Sequence, residues 1–229
     1  MSDAKSDIIG GIRRALGRGA LAASAADALG ERLRHPAPNQ VPARSRGLDR
    51  EGLLSLFERQ AGEVTASVAC VASLGDVPAA IAGYLTAHNL PAELQAAPDP
   101  LLDAVPWDRR PLLRVARGRP SGKEAVGVTP AFAGIAETGT LMLLSGKSVP
   151  STLNFLPDTH IVVLPVKRLV GALEDAWRQL RLRHPEGLPR TINLVTGPSS
   201  TGDIEQRIQK GAHGPRRLHI VVVEDAALD

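Results

Sequence analysis

Two runs of four purely aliphatic residues, Leu141-Met142-Leu143-Leu144 and Ile161-Val162-Val163-Leu164, narrow what this chain can fold into. A strand with one wet face alternates apolar and polar residues. An unbroken short apolar run marks a strand covered on both faces, as in the middle of a parallel sheet flanked by helices. Helical periods appear around these runs over Leu48 to Gln60, Val77 to His88 and Val166 to Arg183. The last carries Leu169, Leu173, Trp177 and Leu180 on one stripe. Further strand signals cover Val64 to Ser73, Ala92 to Ala96, Leu112 to Ala116, Ala125 to Thr129, Thr191 to Thr196 and Leu218 to Val223. This alternation predicts an α/β fold, three layers built on a mostly parallel sheet. A helix over Asp203 to Lys210 is expected between the last two strands, closing a right-handed βαβ unit. With 43% hydrophobic residues in a chain of 229, a core forms without staples.

The first 48 residues read differently. Ser6 to Arg18 places Ile8, Ile9, Ile12 and Leu16 at helical spacing. The stretch His35-Pro36-Ala37-Pro38-Asn39-Gln40-Val41-Pro42 then reads as an extended linker. Residues 1–48 are expected to be a helical arm with its linker, and residues 49–229 the domain. The arm docks on its own domain, on a second copy or on a partner, which leaves a homo-oligomer open.

Several classes are excluded as expectations. No apolar run approaches the ~20 residues that cross a bilayer, and Met1 to Gly19 lacks the apolar stretch of a signal peptide. A cytoplasmic protein is expected. The net charge of +3 comes without a basic stripe or interleaved aromatics, so nucleic acid is not an expected partner. Cys70 is the single cysteine, which rules out an internal disulfide. In the run Ser67-Val68-Ala69-Cys70-Val71 it reads as a buried core thiol. The six histidines show no metal-ligand spacing, and no metal site is expected. Ser145-Gly146-Lys147-Ser148 copies the tail of a phosphate loop, but Leu141 stands where its first glycine belongs.

Four segments remain as candidates for chemistry. Glu137, in Ala136-Glu137-Thr138-Gly139-Thr140, sits at the mouth of a buried strand. It is the candidate catalytic residue: nucleophile, base, or acceptor for a substrate hydroxyl. The competing reading is a carboxylate tied to N–H groups of a tight turn. Thr138, Gly139 and Thr140 are candidate ligand contacts, the glycine letting a ligand approach the backbone. Gly197, Ser199, Ser200, Thr201 and Asp203 form a strand-to-helix turn of the kind that faces a ligand crevice at the carboxyl ends of strands. Ser200 and Asp203 have the spacing of a capping box, and the acidic residues there disfavour a polyphosphate. Ser151 and Asn154 are placed to line the crevice beside Glu137. A crossover helix would separate His213, Gly214 and Pro215 from Ser199, so that loop reads as a structural turn or a partner site.

Together these segments resemble the lactate-utilisation protein C family, whose core is called the LUD domain. The resemblance runs from Ile9-Gly10-Gly11-Ile12-Arg13-Arg14-Ala15-Leu16-Gly17 to the last strand. It rests on Ala136 to Thr140, Gly197 to Glu205 and His213-Gly214-Pro215, departing at Gly202, where the family commonly carries alanine. It implies a fold like that of ribose-5-phosphate isomerase and the coenzyme A transferases. It also implies a part in oxidising L-lactate to pyruvate beside iron–sulfur partner proteins. One thiol cannot hold an iron–sulfur cluster alone, so no cofactor is expected on this chain and the clusters are expected on partner chains. Two other classes stay open: an independent transferase- or isomerase-like enzyme acting on a small carboxylic acid or thioester, and a non-catalytic scaffold.

Overall fold

The computed structural model describes residues 3–37, 41–122, 124–204, 207–225 and 228, with the backbone alone for 202–204 and 207–209. The chain divides into two compact units, Met1–Gln40 and Val41–Asp229. The first holds helices α1 (Ala4–Ala15) and α2 (Ala23–Arg34). Asp3 caps α1 by accepting from the Lys5 N–H at 3.2 Å. The alanine-rich α2 was not among the expected helices; its stripe of Ala22, Ala26, Leu29 and Leu33 holds only two large apolar residues.

The boundary at Gln40 differs from the one expected at residue 48. Ser45 is buried, and Arg44 donates to the Gln60 side chain at 2.7 Å and to the Glu137 carbonyl at 3.2 Å. Proline content marks an extended segment but does not reveal an arginine anchored on the body.

The strands of the second unit are β1 (Ser67–Val71), β2 (Glu93–Ala96), β3 (Arg114–Arg117), β4 (Val126–Pro130), β5 (Ala133–Ile135), β6 (Thr140–Leu144), β7 (Thr159–Pro165), β8 (Leu169–Val170), β9 (Ile192–Thr196), β10 (Ser200–Ile204), β11 (Arg207–Lys210) and β12 (Arg217–Val223). Its helices are α3 (Arg50–Glu63), α4 (Val77–Ala87), α5 (Pro100–Asp103) and α6 (Leu173–Arg183). Asp49 and Asp99 start α3 and α5 by accepting from Gly52 and Leu101 N–H groups at 2.9 and 3.0 Å. Six strands form the central sheet in the order β1-β12-β7-β4-β2-β3, every pair parallel. The fold class is therefore α/β with a parallel central sheet.

Alternation along β7 and β12 fills both faces of that sheet. Ile161, Val163, Val221 and Val223 pack with Val77, Ile81 and Leu85 of α4 and Leu102 of α5. Val162, Leu164, Ile220 and Val222 pack with Leu56, Phe57 and Ala61 of α3 and with Leu141 and Leu143 of β6. A second, four-stranded sheet, β8-β5-β6-β9, thus lies against the central one. Its other face carries Met142 and Ile135 against Ala176 and Leu180 of α6.

Five sequence expectations are corrected here. Leu141 to Leu144 is buried on both faces as predicted, but in the second sheet, where β6 runs antiparallel to β5 and β9. Its apolarity reports a cover of helix on one side and sheet on the other, which does not distinguish one sheet from another. The closing βαβ unit does not exist: β9 belongs to the second sheet and β12 to the first. In place of the helix Asp203 to Lys210, β10 and β11 pair as an antiparallel hairpin. An eight-residue segment has little intrinsic helix stability. Val166 to Arg183 opens on a 3-10 turn, Val166–Arg168, and is α-helical only from Leu173, because Leu169 and Val170 pair with Gly134 and Ile135 instead. Finally, Cys70 is exposed rather than in the core, since β1 is an edge strand.

Candidate functional site

Replacing a crossover helix with a hairpin changes which residues meet. A hairpin returns the chain to its starting point, so the loop after β11 comes back beside the turn after β9. Ser199 donates its backbone N–H to the Pro215 carbonyl at 2.8 Å and accepts from Gly211 N–H at 2.9 Å. The His213 N–H reaches the Ser199 Oγ at 3.3 Å. The expected separation of His213, Gly214 and Pro215 from Ser199 is thus overturned. Gly197, Ser199, Ser200, Thr201, His213, Gly214 and Pro215 line one cavity of about 410 Å³. Asp203 stands in β10 and its side chain lies outside the described residues, as does Glu205. The capping box proposed for Ser200 and Asp203 falls with the helix.

Asn154, His160, Thr196 and Leu218 are also among the lining residues. His160 and Leu218 are the second residues of β7 and β12, so the cavity lies at the amino ends of these central strands. The carboxyl ends were expected. The reason is again β9: it belongs to the second sheet, antiparallel to β6, and its end is not constrained to the carboxyl edge of the first.

The cavity wall contains hydroxyl, amide and imidazole groups. Among the described residues lining it there is no Asp, Glu, Lys or Arg. Asn154 and His160 are each only 1% exposed. The His160 Nε2 lies 2.7 Å from Thr129 Oγ1, while Nδ1 has no partner among the described residues. Burial pushes the imidazole down to about 3, so the ring is neutral near pH 7. Both amide atoms of Asn154 are also buried without a partner among the described residues. Sequence reasoning reached Asn154 but missed His160 and Thr129, because their pairing follows from the β4–β7 register.

Glu137 does not line this cavity. It is 6% exposed, and its Oε1 accepts from the N–H of Leu173, the first residue of α6, at 3.0 Å. Its backbone N–H donates to the Gly171 carbonyl at 3.1 Å. The carboxylate thus sits at the positive end of a helix and ties the β5–β6 turn to it. Oε2 has no partner among the described residues. Thr138, Thr140 and Thr196 form a chain of hydroxyls with both steps at 2.7 Å. Through Thr196 that chain ends in the cavity wall, while Glu137 faces away into α6. Ser151 does not line the cavity either. Replacing Glu137 with Ala is expected to cost about 2 kcal/mol of stability by orphaning the helix N–H and removing a carboxylate from the dipole. A denaturant melt measures it; unchanged stability would contradict the capping role.

A family model described as the LUD domain matches residues 58–223. The chain is 39% identical over 102 residues to the lactate utilization protein C of Halalkalibacterium halodurans, an alignment covering 44% of each chain. It is 32% identical over 127 residues to the protein of the same name from Anoxybacillus flavithermus, covering 54% of each. The matched stretch spans about half the length of these curated relatives. The crystal structure of a DUF162 family protein from Deinococcus radiodurans superposes with a TM-score of 0.59 at 24% identity, covering 77% of this chain and 99% of that one. At that identity the likeness concerns the fold.

Proposed function

The chain belongs to the LUD domain family, and from that premise we propose that it is a subunit of a lactate-utilisation system that oxidises L-lactate to pyruvate. What supports this most is the similarity to relatives named lactate utilization protein C. The cavity is consistent with it. About 410 Å³ admits a small carboxylic acid, and among the described residues the lining offers no Lys or Arg for a polyphosphate. Hydroxyls of Ser199, Ser200 and Thr196 and the rim residue His213 are the groups available to such a ligand.

Converting the hydroxyl carbon to a carbonyl releases two electrons and two protons. One cysteine cannot supply the thiolates of an iron–sulfur cluster. Cys70 is also a poor ligand by itself: partial burial and the Glu58 carboxylate 3.2 Å away push its thiol up to about 12. Electron-accepting clusters are therefore assigned to iron–sulfur partner chains. A cytoplasmic setting belongs to the same proposal; among the described residues no helix is long and apolar enough to cross a membrane. Within this reading Glu137 positions α6 against the β5–β6 turn and takes no proton from the substrate.

The test is reconstitution. The protein is combined with iron–sulfur proteins of a lactate-utilisation system, and lactate-dependent reduction of a dye is followed with and without this chain. Turnover is expected to require it. Equal turnover in its absence overturns the proposal.

A further inference from the structure

Asn154 and His160 line the cavity, and three of their buried polar atoms lack a partner among the described residues: Nδ2 and Oδ1 of Asn154 and Nδ1 of His160. Buried polar groups are normally satisfied, and those that are not ask for a ligand or water. The amide offers donors and an acceptor together. The imidazole is neutral, with one nitrogen already facing Thr129 Oγ1, so Nδ1 is one donor or one acceptor. We propose that Asn154 and His160 form a subsite for the hydroxyl of a small ligand, rejecting charged groups at the same position. This rests on the reading of the cavity as the ligand site.

Charge and hydrogen-bond capacity select among chemical groups. A hydroxyl donates one hydrogen bond and accepts two, so it can satisfy donor and acceptor atoms of the amide at once. A carbonyl only accepts, which leaves Oδ1 unpaired. A methylene does neither. Among the described residues, an ammonium group would meet no carboxylate in the wall to balance it, and a second carboxylate no cation. The expected order is hydroxyl above carbonyl, with methylene and ammonium last. For a three-carbon acid this places the 2-hydroxy compound ahead of its 2-oxo, 2-amino and unsubstituted analogues.

The experiment uses the full-length protein with histidine nitrogens labelled. L-Lactate, pyruvate, L-alanine, propionate and glycerol are titrated while the His160 imidazole signals are followed by NMR. Lactate is expected to move them and to bind about tenfold or more tightly than propionate, the loss expected when a hydrogen-bonding site meets an analogue lacking the group. Asn154→Leu should erase that preference. Should this variant not fold, the lactate-to-propionate ratio of the unaltered protein decides by itself. Equal affinities for lactate and propionate, or no compound moving His160, would mean that a trapped water satisfies these atoms, and would overturn the subsite. If glycerol moves His160 and lactate does not, the hydroxyl subsite stands and the lactate reading falls. If lactate binds without moving His160, the reverse holds.

Discussion

Gly139→Ala is expected to be among the most damaging single-methyl additions this chain can suffer. Gly139 has φ +64°, a left-handed conformation that costs an L-residue about 1–2 kcal/mol. A Cβ there would lie 2.3 Å from the Ala61 nitrogen and 2.6 Å from the Gln60 carbonyl carbon. Both are backbone atoms inside α3 and cannot turn aside as a side-chain tip would. Overpacking adds about 1–3 kcal/mol, for a total of about 2–5 kcal/mol against the 5–15 kcal/mol typical of a domain. Gly146 is the internal control, since a Cβ there meets nothing within 4 Å and its φ is not positive. Denaturant midpoints of Gly139→Ala and Gly146→Ala should separate widely. Near-identical midpoints would refute the close approach of the turn to α3.

That glycine also shows how a correct residue can be chosen for an incomplete reason. The sequence marks Gly139 as a place of close backbone approach, which it is, but α3 of the same chain approaches it rather than a ligand. The same distinction runs through the fold. Ile161 to Leu164 announces burial on both faces, and β7 is flanked by strands and covered by α3 and α4 accordingly. Leu141 to Leu144 sends the same signal from another sheet, because burial on two faces says nothing about which partner strands provide the edges. The helix expected over Asp203 to Lys210 failed on a shorter scale. Eight residues carry too little local preference to resist pairing as a hairpin, and that hairpin is what brings His213 to Ser199.

The candidate site was legible where a segment acts locally and illegible where it depends on pairing. Ser199, Ser200, Thr201 and Asn154 lie in segments rich in small polar residues, and such segments stand out in any sequence. His160 sits in an apolar strand and becomes visible only when β4 and β7 pair with Gly127 opposite it and Thr129 two residues on. Glu137 is the intermediate case. Its burial at a strand mouth was readable, but its helix partner lies 36 residues later, across an unpredicted strand.

Acid is expected to unfold this protein earlier than its carboxylates alone would dictate. Burial lowers His160 to about 3 and, with help from nearby His88, His219 to about 4, against an ordinary 6.5. Ser67 Oγ lies 2.8 Å from Nδ1 of His219, the Tyr84 ring stacks on it at 4.0 Å, and His219 Nε2 is unpartnered among the described residues. No carboxylate among these neighbours would favour protonation. In the folded protein both rings stay neutral, while the unfolded chain binds protons once the pH drops below 6.5. Stability is thus complete above that value and declines below it, until the folded rings themselves protonate near 4 and 3. Each histidine contributes a slope of about 1.4 kcal/mol per pH unit, or about 2 kcal/mol between about pH 7.5 and about pH 5. The exposed Glu124, held down to about 2 chiefly by hydrogen bonds from Ser121, acts only below its ordinary 4.5 and leaves that window clear. Equilibrium denaturation at the two pH values should show a loss of about 4 kcal/mol. His160→Gln and His219→Asn should each halve the slope, whatever they do to stability at neutral pH. A flat profile over this interval would mean that water or a carboxylate reaches these rings, and the uncharged cavity wall built on His160 would have to be abandoned with it.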